Sequence, residues 1–272
     1  MPDIATLLPM LALLMAIGAF AGVIAGLLGV GGGIILVPAF FYMFTSLGYG
    51  GPEVMQVCLA TSLATIIVTS ARSVLAHNKK GAVEWDVLRR WWPFIGWGAV
   101  LGMLVASSLR STTLQVIFGV LALGAGLYMA FGKSHWRLGQ AMPVGPKRAA
   151  IGTAVGFFSV LMGIGGGSFG VPVMSLYNIA IHRAVATAAG FGIIIAVPSV
   201  IGFLLVKIAN PPPLTLGAVN LPAFGVVIAM TLLTAPLGVK LAHRMDPAPL
   251  KRIFAVFITL VALNMLRKVA MG

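Results

Sequence analysis

Two glycine-rich windows hold the residues best suited to chemistry in this 272-residue chain. Residues 26–38 read GLLGVGGGIILVP and residues 160–172 read VLMGIGGGSFGVP. Overlaid, they share seven of thirteen positions, among them Gly29/Gly163, the triplets Gly31, Gly32, Gly33 and Gly165, Gly166, Gly167, and Pro38/Pro172. Consecutive glycines let backbone N–H groups approach a ligand with no Cβ in the way. Each window also opens an apolar half-helix, 33–44 or 167–178. A helix N-terminus offers unpaired N–H donors and about half a positive charge, a combination suited to an anion. Gly29, Pro38, Gly163 and Pro172 mark the expected helix breaks, and breaks at corresponding places in two halves of a membrane protein point to a transport site. The pairs Gly22/Gly26, Gly98/Gly102 and Gly152/Gly156 have the spacing of simple helix-packing glycines instead.

Hydroxyls form the second candidate set. Thr61, Ser62, Thr65, Thr69 and Ser73 recur every three or four residues, which lines them along one helix face. Such hydroxyls can donate to the oxygens of an anion, or they can bond the carbonyl four residues back. In the second half the counterparts are Ser168, directly after the glycines, and Thr187. Arg72 falls on the same stripe, where it either draws an anion toward the cytoplasmic mouth or snorkels to the headgroups.

Other chemistries lack their residues. The acidic side chains number five, and Asp3, Glu53, Glu84, Asp86 and Asp246 all avoid the middle of a clear apolar run. Proton- or cation-coupled transporters place carboxylates at membrane depth, so their avoidance favours an anionic substrate. The four histidines, His77, His135, His182 and His243, are too scattered for a metal site. With no nucleophile–base pair in the apolar runs either, the chain is not expected to be an enzyme or to need a cofactor. Cys58 is alone and reads as a small buried side chain. The net charge of +13 comes from Lys and Arg placed between apolar segments, the pattern of a protein in a lipid bilayer rather than of a nucleic-acid partner.

The positioning elements follow from composition. The chain is 60% hydrophobic and 8% charged, against roughly 25% charged in soluble domains. The expected fold is an all-α polytopic membrane protein of two tandem halves. Residues 1–132 form the first repeat, 133–148 a basic cytoplasmic linker and 149–272 the second repeat. A further match between 114–129 and 250–265, and the pair Ala60-Thr61 with Ala186-Thr187, support duplication. Each half would hold a glycine-broken segment, either a re-entrant hairpin or one interrupted crossing, plus about three full spans. With re-entrant segments the halves are inverted, and only Arg110, Lys207, Arg267 and Lys268 of the 18 cations lie outside. With full crossings six do, so the inside-positive bias favours inversion.

The repeated GxGGGxxxxP-like windows, the run CLATSLATIIVTS at 58–70 and the two-half layout resemble the TauE/SafE family of membrane permeases. The resemblance covers nearly the whole chain. It implies a transporter of the prokaryotic cytoplasmic membrane carrying sulfite, organosulfonates or related sulfur anions. The working expectation is alternating access between the halves, with the anion held by half-helix N-termini and Ser/Thr hydroxyls. An anion channel or a non-transporting membrane subunit are the alternatives. The partners expected are a small anion and lipid; a homo-oligomer is compatible with the sequence, and no coupling ion is identifiable.

Overall fold

The computed structural model describes residues 4–28, 32–131, 136–242 and 247–271. The first half contains α1 (Ile4–Leu28), α2 (Gly33–Ser46), α3 (Val54–Asn78), α4 (Trp85–Ser108) and α5 (Ser111–Phe131). The second contains α6 (Gly145–Leu161), α7 (Gly167–Leu176), α8 (Ile181–Leu204), α9 (Leu221–Ala242) and α10 (Pro247–Met271). Five of the described helices have a stretch long and apolar enough to cross a membrane, and they lie in α3, α4, α5, α8 and α9. The protein is therefore a helical membrane protein, with one small exception to the all-α expectation. A two-stranded hairpin, β1 (Thr215–Leu216) and β2 (Val219–Asn220), turns through Gly217 at φ +57°. α6 also begins within the expected linker, at Gly145, and the linker is held to α7 by Leu138 N–H donating to Leu176 O.

Helices pair across the two halves. α1 lies along α9 and α6 along α4, while α5 lies along α10 and α3 along α8. In lipid, helices associate by close packing and interhelical hydrogen bonds rather than by a hydrophobic drive, so small residues mark the contacts. A methyl on Gly98 would strike Thr153 O, and one on Gly102 would strike Phe157 O. Gly18 faces Val227 and Gly22 faces Thr231 in the same fashion. Rising numbers meet rising numbers in both pairs, so α1 runs parallel to α9 and α4 parallel to α6.

α3 and α8 are the most enclosed spans, with 78% and 67% of their apolar windows buried. Their directions follow from two hydrogen bonds. Thr61, early in α3, accepts the N–H of Asn220 at 3.0 Å. Asn220 belongs to the hairpin that folds onto the end of α8, where Ala218 N–H donates to Phe203 O. Thr187, early in α8, accepts the N–H of Glu84 at 2.9 Å. Glu84 follows the end of α3, where Ala82 N–H donates to His77 O. The start of each helix therefore lies beside the end of the other, and α3 and α8 are antiparallel. α5 and α10 are antiparallel too, because Gly119 faces Leu266 while Gly126 faces Thr259.

Candidate substrate site

The second glycine window is the bend of a helical hairpin. α6 ends with Gly163 N–H donating to Val160 O and Ile164 N–H donating to Ser159 O. This is a Schellman cap, which requires a left-handed residue, and Gly163 supplies it at φ +60°. α7 then doubles back, bringing the Phe169 ring to 6.4 Å from that of Phe158 on α6. In the first half Gly32 takes φ +73°, and a Cβ there would stand 3.3 Å from Ala21 O. That contact lays the start of α2 against α1. Gly29 and Gly31 lie outside the described residues. Pro38 and Pro172 do not mark the breaks: each stands six residues into the helix that follows, inside α2 and α7. The glycines end one helix, and the next has already formed when the proline arrives.

The two windows touch. A Cβ at Gly33 would lie 2.6 Å from Gly163 O and 3.0 Å from Ile164 Cα. A Cβ at Gly163 would lie 2.7 Å from Val37 Cγ2 and 3.1 Å from Leu59 Cα. Only glycine permits either approach. Ser62 Oγ donates to Gly163 O at 2.7 Å, tying α3 of the first half to the window of the second. α8 covers the other side, where a methyl on Gly166 would strike Phe191, and Gly165 lies against Ile66 and Gly192. Gly33, Gly165, Gly166 and Gly167 are all buried. Within α7, Gly170 N–H is bonded to Gly166 O at 2.7 Å. The amides of Gly167, Ser168 and Phe169 come earlier, in the first turn, where a helix has no carbonyl to offer them.

The hydroxyls divide into engaged and free. Thr65 donates to Ser62 O at 2.7 Å and Thr69 to Thr65 O at 3.1 Å, so this part of the stripe bonds its own backbone. Thr187 donates to Arg183 O while accepting from Glu84. Thr61 and Thr187 thus hold the chain entering α9 and α4 respectively. Arg72 is exposed, because the cover over α3 thins beyond Ser70. Ser168 Oγ is shut off from solvent with no partner. So is the hydroxyl of Ser159, a fully buried residue one turn before Gly163 that sequence reasoning missed. Among the described residues, no group of His, Cys, Asp and Glu could hold a metal ion.

A family model described as Sulfite exporter TauE/SafE matches residues 14–265. The chain belongs to the TauE/SafE family. It is 30% identical to a "Probable membrane transporter protein" of Haemophilus influenzae over 260 residues, which cover 94% of this chain and 98% of that relative. A "Probable membrane transporter protein" of Methanocaldococcus jannaschii is 26% identical over 266 residues, covering 94% and 96%. A third, of Bacillus subtilis, is 30% identical over 182 residues, covering 60% and 67%. No solved structure matches the chain.

In this TauE/SafE protein, the contact sets the start of α2 against the turn that leads into α7, where both halves meet. The second window is chemically richer than the first. Ser159 corresponds to Ala25 and Ser168 to Ile34 at the windows' own offset. The only sequence signal for Ser159 is that asymmetry, and a helical serine ordinarily bonds its own backbone.

Proposed function

We propose that this protein is a secondary transporter that carries a small sulfur oxyanion, such as sulfite or an organosulfonate, across the prokaryotic cytoplasmic membrane. The anion is held where the two glycine windows meet, and the halves 1–132 and 149–272, inverted relative to each other, alternate its access to the two sides. The observation that carries this reading is the backbone contact of Gly33 with Gly163 and Ile164, closed by the Ser62–Gly163 hydrogen bond. It sets the N-terminus of α2 against the turn that leads from α6 into α7, at a buried point between the two halves. A site built from amide dipoles and hydroxyls binds an anion without a full positive charge beside it, which keeps release feasible.

In this reading the first-turn amides of α7, with the hydroxyls of Ser168 and Ser159, are the principal donors. The start of α2, at Gly32 and Gly33, supplies the opposing wall. Thr61 and Thr187 hold the chain segments that enter α9 and α4, Ser62 sets the position of the second window, and Thr65 bonds the backbone of its own helix. Arg72 belongs to the cytoplasmic approach.

The test is counterflow in proteoliposomes. Labelled sulfite uptake is expected to saturate and to accelerate when unlabelled sulfite is present inside. Flux that neither saturates nor accelerates would identify a channel and end the alternating-access reading.

A further inference from the structure

A cavity of about 330 Å³ opens between the end of α2 and the starts of α3 and α5, away from the glycine windows. Its volume falls in the range of small-molecule sites. Thr45, Gly51, Arg110, Ser111, Thr112 and Gln115 are among its lining residues. Arg110 and Thr112 are exposed, whereas Ser111 is 4% and Gln115 7% exposed.

The buried groups leave donors unused. Ser111 Oγ accepts the N–H of Met55 at 3.2 Å and Gln115 Nε2–H at 3.5 Å. With both acceptor positions filled, its own proton points elsewhere, and no described group receives it. Leu114 N–H is bonded to Arg110 O at 3.1 Å. The amides of Thr112 and Thr113 precede it in the first turn of the 21-residue α5, where helix geometry leaves them free.

The surrounding charge is positive on balance. Lys268 Nζ stands 5.3 Å from the ring of Phe41, another lining residue, and Lys207 lies in the segment tied to this end by Glu53. Glu53 is the nearby carboxylate, and its Oε2 accepts the N–H of Ala209 at 2.7 Å. Repeat ancestry does not explain the set. By the match of 114–129 with 250–265, the counterparts of Arg110, Ser111 and Thr112 are Asp246, Pro247 and Ala248.

We infer that this cavity is an anion-recruiting vestibule, a second oxyanion site that concentrates substrate at one mouth before it reaches the glycine windows. The inference rests on the anion-transport reading, but its test does not require transport. Arg110 supplies the charge, and Ser111, Thr112 and the α5 amides supply the donors. A cleft lined by one sign of charge raises the local concentration of its counter-ion by tenfold or more.

Thr112→Cys places a thiol in the vestibule, and the native Cys58 is buried and serves as the silent background. The purified full chain in nanodiscs is treated with sulfonatoethyl or trimethylammonioethyl methanethiosulfonate. With each rate divided by that reagent's own rate on a free thiol in solution, the anionic reagent is expected to react about tenfold faster than the cationic one. Adding Arg110→Gln should bring the two rates together, and sulfate should slow the anionic reagent in the Arg110 background. Equal rates at the outset, a preference untouched by Arg110→Gln, or no protection by sulfate each overturn the vestibule. Intact sulfite counterflow alongside such a failure removes the vestibule alone. An anion preference without counterflow leaves the vestibule standing and removes the transport reading.

Discussion

Ser62 and Ser159 are both buried serines beside the second glycine window, and their hydroxyls are in opposite states. Ser62 donates to Gly163 O, whereas Ser159 has no partner. Removing one member of a buried hydrogen bond strands the other and costs about 1–3 kcal/mol. Ser62→Ala should therefore lower the melting temperature of the detergent-purified protein and also weaken transport, because Gly163 is no longer pinned. Thr69→Ala, which removes only a local back-bond on a half-buried site, should leave both nearly unchanged. Ser159→Ala and Ser168→Ala should behave in the reverse manner. Deleting a hydroxyl that has no protein partner removes a desolvation cost, so stability should hold within about 1 kcal/mol or rise. Affinity for the anion should fall, measured as a raised KM in sulfite counterflow. A marked loss of melting temperature with unchanged KM would assign these two serines to structure.

At the scale of elements, glycine has two separate uses here, and they predict different outcomes. Gly33→Ala would drive a methyl into Gly163 O and the Ile164 backbone, and Gly163→Ala would add a left-handed strain to a clash with Val37 and Leu59. Both should abolish counterflow, with Gly163→Ala also destabilising the end of α6. Gly124→Ala is the control, since nothing stands within 4 Å of a Cβ there. It should stabilise α5 by about 0.5–1 kcal/mol with transport intact, read by thermal unfolding beside flux. The windows were legible in the sequence because three glycines in an apolar run have few structural uses. The stripe on α3 was legible as a face, but its partners were not. Asn220 and Gly163 are distant in sequence, and nothing local to Thr61 or Ser62 announces them. Arg72 shared the stripe's periodicity, yet α3 outruns its cover before reaching it. Asn178 lies near the end of an apolar segment and is the exposed left-handed residue that ends α7 at φ 66°. Asparagine tolerates that conformation, so its type fits the cap as well as it fits a hydrogen-bond donor at depth.

For the whole molecule, the directions of the helices bear on inversion more directly than the count of charges does. α3 and α8 correspond between the halves and run antiparallel, as α5 and α10 do, and two such pairs support an axis between the halves that lies across the helices. Cross-half bonds sort the loops into two ends. Ala209 meets Glu53, and Ser111 N–H donates to Pro52 O, at one end. Arg183 pairs with Glu84 at 2.9 Å, near the end of α3, at the other. With helices crossing the bilayer, the first end would carry Arg110, Lys207 and Lys268 outward, and the second would carry Lys79 and Lys80 inward, as the inside-positive rule favours. Single cysteines at Asn210 and Lys80 test this in intact cells, using a membrane-impermeant maleimide added outside before or after permeabilisation. Asn210→Cys is expected to label at once and Lys80→Cys only after permeabilisation. Labelling of both from the same side would break the inverted arrangement, because no antiparallel pairing of α3 with α8 across a bilayer leaves those two loops on one face.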